Sequence, residues 1–400
     1  MTSEKLFEGI TVLEVAKNLT GPFAGMMLAN QGAEVIKIEE PGGDPVRHAS
    51  AQIEGKSSYF WTVNYGKKSL ELNLKSEEGL DIFYELVEEA DVVIENFKPG
   101  TAERLGIGYE DVREINESIV YCAISAFGEN GPWRERGGYD LIIQGLSGIM
   151  SVTGEEDGGP VKVGVAITDM ITAMWAAFGI TGALYRREQT GDGEYIDLAM
   201  LDAALTWLTK QAGKYFAGEE PQRLGTRDPV MCPYQTFETG DGYINIGCPT
   251  PKLWKRLVKA IGREDMLEDD RFADNDTRLA NVDQLQSELE KTLGERKTEE
   301  WVRLLADENG VPAAPVNSVG EALHNEQTAA RGVIREMNHS AAGPNPVIEH
   351  PLKFKNVDHG FESHAPDLGE HNSSILRELG YSGERIAELR DDQIFSSRGE

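Results

Sequence analysis

Short β-rich runs alternate with helix-periodic segments along the first half of the chain, and this alternation constrains the fold more than any other feature. Ile10–Val15 is β-rich, and the small-residue turn Thr20-Gly21-Pro22 leads from it into Phe23–Asn30, which has helical periodicity. Glu34–Ile38 reads as a second strand, and Leu70–Leu74 as a third that alternates apolar with polar residues. Ser76–Ala90 reads as a helix with Ser76 as its N-cap. Asp91–Ile94 and Ile119–Ala126 follow as buried strands. Strands separated by helices need crossover connections, so the pattern predicts an α/β fold with a parallel sheet.

Such a sheet is a Rossmann-like layer, whose ligands sit at the carboxyl ends of the strands. Thr168–Arg186 is the strongest helical segment, with Thr168 as a candidate N-cap and Asp169 in the first turn. Glu194–Ala199 alternates like a strand, and Met200–Tyr215 is helical again. The character changes at the polar stretch Gly218–Asp228. Beyond it, Tyr234–Phe237, the turn Gly240-Asp241-Gly242 and Tyr243–Gly247 form a hairpin pattern. Helical segments at Lys252–Ile261, Val282–Leu293 and Thr298–Asp307 follow. The tail carries a strand pattern at Glu349–Phe354 and a helix at Asn372–Leu379. A chain of 400 residues allows two or three domains. The expected division is a large domain of residues 1–225 with 326–400, and a smaller α+β domain of residues 226–325.

Sixty-eight acidic against 39 basic residues give a net charge of −29. Nucleic acid is therefore not an expected partner, because phosphate binding needs a basic footprint. Glu264–Asp276 holds seven carboxylates in thirteen residues and reads as a solvated face. Acid spread this evenly suits a salt-loaded cytoplasm, where ions screen the self-repulsion, so a halophilic host is expected. No run of 18 apolar residues is present, and the opening Met-Thr-Ser-Glu-Lys has no signal-peptide pattern. The expectation is a cytoplasmic protein without a membrane segment. Cys122, Cys232 and Cys248 are widely spaced and suggest neither a disulfide framework nor a zinc site.

Several chemistries are excluded by what is missing. The first strand is followed by Ala16-Lys17-Asn18-Leu19-Thr20-Gly21-Pro22 and not by GxGxxG, so NAD has little support. No GxxxxGK[ST], GxSxG or HExxH occurs. His48 is the one histidine before position 320, which speaks against a histidine triad or metal site in the first domain.

Several segments, taken together, resemble the class III CoA-transferases, the family of formyl-CoA and carnitine CoA-transferases. Gly9-Ile-Thr-Val-Leu-Glu14 with Gly21-Pro22 is similar to its first strand and turn. Val35-Ile-Lys-Ile-Glu39-Glu-Pro-Gly-Gly-Asp44 is similar to its second strand and glycine loop. Asn64-Tyr-Gly-Lys-Lys-Ser-Leu-Glu-Leu-Asn73-Leu-Lys75 and Asp91-Val-Val-Ile-Glu-Asn96-Phe-Lys-Pro-Gly100 follow in the family's order. Arg104-Leu-Gly106, Gly137-Gly-Tyr-Asp140 and the helix start Thr168-Asp169 complete the series, which is dense over residues 8–205. Asp270-Arg-Phe-Ala-Asp274 extends it more thinly.

The resemblance implies an enzyme that moves CoA from an acyl-CoA to a carboxylic acid, with Asp169 as nucleophile and Tyr139 and Asp140 beside it. A carboxylate suits the task because its anhydride and its thioester are both energy-rich and exchange readily. Leu72, Asn73, Lys75, Asn96, Phe97, Lys98 and Arg104 fall on segments that hold CoA in the family. Lys75, Lys98 and Arg104 suit phosphates, although each read alone is a solvated surface base. Phe97 reads equally as core. CoA enters as a substrate, and no permanently bound cofactor or metal is expected. The resemblance also implies an interlocked homodimer, each chain a ring threaded through the other. Its site lies between one subunit's large domain and the other's small domain. Succinyl-CoA and a C4–C5 dicarboxylate such as mesaconate, citramalate or malate are the expected substrates, with Lys17 or Arg47 on the distal carboxylate. Gly247-Cys-Pro-Thr250 lacks the four-glycine lid of formyl-CoA enzymes, so oxalate/formate specificity is not supported.

Two other readings stay open. Alpha-methylacyl-CoA racemases resemble the same region, but they carry a histidine where this chain has Tyr139, and tyrosine is a poor base at neutral pH. A non-catalytic CoA-binding protein, with Asp169 only a helix cap, is the other.

Overall fold

The computed structural model describes residues 5–49, 51–339, 343–357 and 363–395. The chain divides into two compact units. The first comprises Met1–Ile149, Lys162–Gly213 and Ala329–Glu400; the second comprises Met150–Val161 and Lys214–Thr328.

Six strands build the sheet of the first unit: β1 (Thr11–Val15), β2 (Glu34–Glu39), β3 (Lys68–Glu71), β4 (Val92–Glu95), β5 (Val120–Ser125) and β6 (Glu194–Ala199). All pair in parallel, in the order β3-β2-β1-β4-β5-β6. This is the doubly wound order, whose switch point lies between β1 and β4. Leu13 pairs with Ile36 on one side and Val93 on the other. Val12, Val35, Ile94 and Cys122 face one core, and Leu13, Ile36, Val93 and Tyr121 face another. Burial of both faces explains why the strands read as nearly continuous apolar runs.

Helices α1 (Thr20–Ala29), α2 (Glu77–Glu89), α3 (Asp140–Leu146) and α4 (Ile167–Thr190) matter for the site. α1 and α4 cover one face, through Ala24, Leu28, Ala173, Ala176 and Ile180. α2 covers the other, through Ile82, Phe83 and Leu86, together with Ile375 and Leu376 of the tail helix Asn372–Glu378. Ser76 caps α2 by accepting from the Gly79 N–H at 3.1 Å. α4 stops at Gly191, which adopts φ 80° and returns its N–H to the Arg187 carbonyl at 2.7 Å. Among the described residues α4 is the one helix long and apolar enough to cross a membrane, yet half of its apolar stretch is buried in the protein.

The second unit has an antiparallel sheet of β7 (Tyr234–Glu238), β8 (Tyr243–Gly247) and β9 (Ala313–Pro315), with β8 central. Phe237, Ile244 and Ile246 pack on Trp254, Leu257, Leu285, Leu289 and Trp301 of its helices. Sheet and helices around one core make it an α+β unit.

Five local expectations need correction. The third strand runs Lys68–Glu71, so Leu72–Leu74 lie beyond its end. Thr168 is not a cap but sits inside α4, which begins at Ile167. The helix expected at Met200–Tyr215 breaks into Met200–Leu205 and Thr209–Phe216, where the Thr206 hydroxyl bonds to the Ala203 carbonyl at 2.7 Å. The helix from Thr298 is regular only to Val302, and a π-type stretch, Arg303–Glu308, continues it. The tail strand is Gly343–Ile348, not Glu349–Phe354, and pairs with Ile334–His339. Pro344 and Pro346 disguised it; both lie on the exposed side of a two-stranded ribbon, where a missing N–H is tolerated.

Candidate active site

A cleft of about 260 Å³ opens at the carboxyl ends of β4 and β5, beside the turn that follows β1. Asn18, Leu19 and Thr20 form one wall; Asn96, Phe97 and Lys98 another; Ser125 and Ala126, with Arg136 to Tyr139, a third. Asp169 lies in it, half-buried, in the first turn of α4. Its Oδ1 accepts a hydrogen bond from the Thr20 hydroxyl. Burial raises its carboxyl to about 6; the Thr20 hydrogen bond opposes the rise and the charge of Asp140 adds to it. Burial also lifts the Tyr59 phenol to about 12, with Asp169 and Asp44 contributing.

The expected site residues divide into those at the cleft and those elsewhere. Asp169, Tyr139, Asn96, Phe97 and Lys98 meet there. Tyr139 stands at the N-cap of α3, 76% exposed. The Asn96 amide is spent on the Lys17 backbone, accepting from its N–H at 2.9 Å and donating to its carbonyl at 2.8 Å. The Lys98 ammonium fills space that a side chain at Gly137 would need.

Asp140 does not line the cleft. Its Oδ1 accepts from the Thr168 N–H at 3.0 Å and the Thr168 hydroxyl at 2.9 Å, and its Oδ2 accepts from Gln144 at 2.7 Å. It thus caps α4 from 28 residues away, the task expected of Thr168. Leu72 is wholly buried in the core and presents no side chain to the cleft. Asn73 turns inward on its own loop, its Oδ1 accepting from the Lys75 N–H at 3.2 Å. Lys75 and Arg104 are exposed outside the cleft, Arg104 donating to Thr101 at 2.8 Å.

Arg47 does not line the cleft, and its guanidinium is engaged within the protein. Its guanidinium donates to both Glu39 oxygens at 2.7 and 2.6 Å and to the Pro366 carbonyl at 3.0 Å, and it stacks 3.7 Å over Phe60. Lys17 pairs with Glu40 and lies 6.0 Å from the centre of the Phe97 ring. The three cysteines are buried and free.

Thr20, Tyr59 and Arg136 escaped the sequence reading. Arg136 lines the cleft and stacks 4.9 Å from Trp133. Thr20 was within reach, because the turn after the first strand of a doubly wound sheet is where ligands are met. Nothing in the sequence near Tyr59 signals its place.

Fold and cleft together define a doubly wound α/β protein with an acidic group at its switch point. The chain belongs to CoA-transferase family III, whose model matches residues 7–372. It is therefore a CoA-transferase, an enzyme acting on CoA thioesters. It is 37% identical to succinyl-CoA:glutarate CoA-transferase of Mus musculus, over 94% of this chain and 87% of that one. It is 36% identical to succinyl-CoA:mesaconate CoA-transferase of Haloarcula marismortui, over 93% and 96%. A solved structure of a CAIB/BAIF family protein from Brucella suis superposes with a TM-score of 0.86 at 38% identity, covering 94% of this chain and all of that one.

Proposed function

We propose that the enzyme takes CoA from succinyl-CoA and gives it to a C4–C5 dicarboxylate of the mesaconate, citramalate or malate type, with Asp169 as nucleophile. The observation that carries this reading is the half-buried Asp169 carboxylate, facing the cleft from the first turn of α4 with one hydroxyl partner. Its oxygen attacks the acyl carbonyl, the C–S bond breaks, and a mixed anhydride and CoA thiolate result. The thiolate attacks the aspartyl carbonyl, expels the donor carboxylate and leaves an aspartyl-CoA thioester. The acceptor carboxylate attacks that thioester and again frees the thiolate. Attack on the acceptor's carbonyl then releases the new acyl-CoA and restores Asp169. Each step exchanges one acyl bond for another, so no proton, electron or water is consumed.

The positive end of the α4 dipole favours the ionised carboxylate. A carboxyl near 6 is largely anionic at neutral pH. The cleft volume lies below the ~300–1,000 Å³ of a site for a whole drug-sized ligand, which suits the thioester end of CoA. Lys98 and Arg136 at the cleft, with Lys75 and Arg104 on the open surface, supply cations for the phosphates. Asp140 acts as a positioning residue that fixes the start of α4. Lys17 is the candidate for a distal carboxylate, since its partner Glu40 is half-exposed and exchangeable. The named dicarboxylate acceptors of two relatives, glutarate and mesaconate, support this acceptor class.

The interlocked homodimer belongs to the same reading. Met174, Trp175, Phe178 and Tyr185 of α4 are at least 41% exposed, an apolar face that suits a partner in so acidic a chain. The charge of −29 supports a cytoplasm of high salt, and sedimentation in molar KCl and in dilute buffer tests both points. Chromatography of a panel of acyl-CoA donors and acids tests the substrates, and no turnover with any dicarboxylate would sink the assignment. Mass spectrometry after incubation with acyl-CoA and hydroxylamine should find a hydroxamate at Asp169; modification elsewhere refutes the nucleophile.

A further inference from the structure

The segment from Ala16 to Pro22, a loop that runs into the first turn of α1, carries Thr20 to Asp169, and beneath it lie four charged side chains with no solvent exposure: Glu14, Lys37, Asp44 and Lys67. They form a chain. Lys67 Nζ is 2.6 Å from Glu14, Lys37 Nζ is 3.0 Å from Glu14, and the same Lys37 Nζ is 3.0 Å from Asp44. Three of the four also grip the loop backbone. Lys37 donates to the Ala16 carbonyl at 2.8 Å, Asp44 accepts the Asn18 N–H at 3.2 Å on either oxygen, and Lys67 donates to the Pro22 carbonyl at 2.7 Å.

The loop needs such a grip. Asn18 is held at φ 65°, a left-handed conformation that asparagine tolerates better than most residues but that still needs support from its surroundings. The chain folds back so tightly that a Cβ on Gly21 would stand 2.3 Å from the Ala16 Cβ. A Cβ on Gly25 would stand 2.1 Å from a Glu14 oxygen, so α1 opens a place for that carboxylate. Burying four charges is expensive, and packed apolar side chains hold a core as well or better. Apolar side chains cannot bond one N–H and one carbonyl of the loop together with the Pro22 carbonyl in the first turn of α1.

We propose that Thr20 is a positioning residue for Asp169, and that the buried Glu14–Lys37–Asp44–Lys67 cluster serves to hold the loop that presents it. The proposal rests on Asp169 being the nucleophile. The Thr20 hydroxyl fixes one carboxylate oxygen and opposes the effect of burial on its ionisation. Of the other ionisable groups around Asp169, Asp140 near the start of α4 pushes its carboxyl up. Tyr59, on the helix Ser58–Asn64, is itself raised by burial first and by the Asp169 charge second. Tyr139, Lys98 and Arg136 line the same cleft.

Thr20→Val removes the donor at nearly constant volume. The acid limb of kcat should move up by about one pH unit, and Thr20→Ser should return it. Asp44→Asn should move the limb in the same direction, with KM for acyl-CoA within about twofold, and should move it no further in the Thr20→Val background. An unmoved limb in Thr20→Val, or shifts that simply add, overturns the proposal. In the unaltered protein the Asn18 amide should exchange as slowly as those of β1, although it borders an open cleft. Fast exchange there overturns the role of the cluster even where Asp44→Asn fails to fold. Turnover surviving in Asp169→Asn sinks the nucleophile reading itself, and this proposal with it.

Discussion

The starts of α3 and α4 look alike in sequence and differ in what their aspartates are left to do. Each helix carries an acidic residue in its first turn, Asp140 in one and Asp169 in the other. Among the described residues the Asp140 carboxylate accepts three hydrogen bonds, all from groups that fix the approach to α4. The Asp169 carboxylate accepts one among the described residues, from a hydroxyl, and otherwise faces the cleft. A saturated carboxylate is a strut, and an unsaturated one beside a cavity is available for chemistry. The same distinction separates Arg47, whose guanidinium is spent on Glu39 and Pro366, from Arg136, which borders the cleft.

The sharpest way to break this comparison is to exchange each carboxylate for its amide. Asp169→Asn should cost at least about 10³-fold in kcat, since an amide forms neither anhydride nor thioester. A steady-state assay with acyl-CoA and acceptor measures it, and a loss below tenfold would make Asp169 no more than a cap. Asp140→Ala should lower stability by about 1–2 kcal/mol through loss of the cap, and kcat by roughly 10–100-fold through the disordered start of α4. Asp140→Asn keeps an acceptor for Thr168 and should recover most of both. Equal damage from the amide and the alanine would mean that the Asp140 charge, not its hydrogen bonds, matters.

Asp140 also raises Asp169 electrostatically, which gives a smaller effect of opposite sign to that of Thr20. The acid limb of kcat should fall near pH 6 in the parent enzyme. In Asp140→Asn the negative neighbour is gone, so Asp169 ionises more easily and the limb should move down. A limb that stays in place would assign the raised carboxyl to burial alone.

What was legible in the sequence follows from how far apart the interacting parts lie. Strands buried on both faces announce themselves as apolar runs, so the parallel sheet and its flanking helices could be read as elements, though not to their exact ends. The hairpin of β7 and β8 was equally clear, because a turn joins its strands directly. Asp169 was found by resemblance, since as a lone residue it is only a carboxylate in a first helical turn. Its partner Thr20 stands 149 residues away, and no local pattern connects the two. The end of the third strand was misplaced, because Leu72, just past Glu71, is still buried in the core and so continues the apolar pattern. No sequence signal marks Lys37 and Lys67, and only the fold reveals them as buried partners of Glu14. Whether a charged group is spent or free depends on contacts that a linear sequence does not contain.

The smallest expected effect is thermodynamic, and it tests the unsaturated state of Asp169 without reference to turnover. Its carboxyl titrates near 6 in the folded chain, against an ordinary value of 3.8. Below about pH 4 both folded and unfolded chains hold the proton, and the group contributes nothing. As pH rises from about 4 to 6 the unfolded chain ionises first, so the folded state loses stability over this window, and above it the loss is constant. Asp169→Asn has no such charge to bury. Its melting temperature should match that of the parent near pH 4 and exceed it increasingly up to pH 6. Above pH 6 the gain should be level, at about 1–2 kcal/mol once partial contact with solvent is allowed for, or a few degrees. Calorimetry of the two proteins at intervals from pH 4 to 8 measures the difference. A difference independent of pH would mean that Asp169 is as well satisfied as Asp140, and the contrast between the two helix starts would fail.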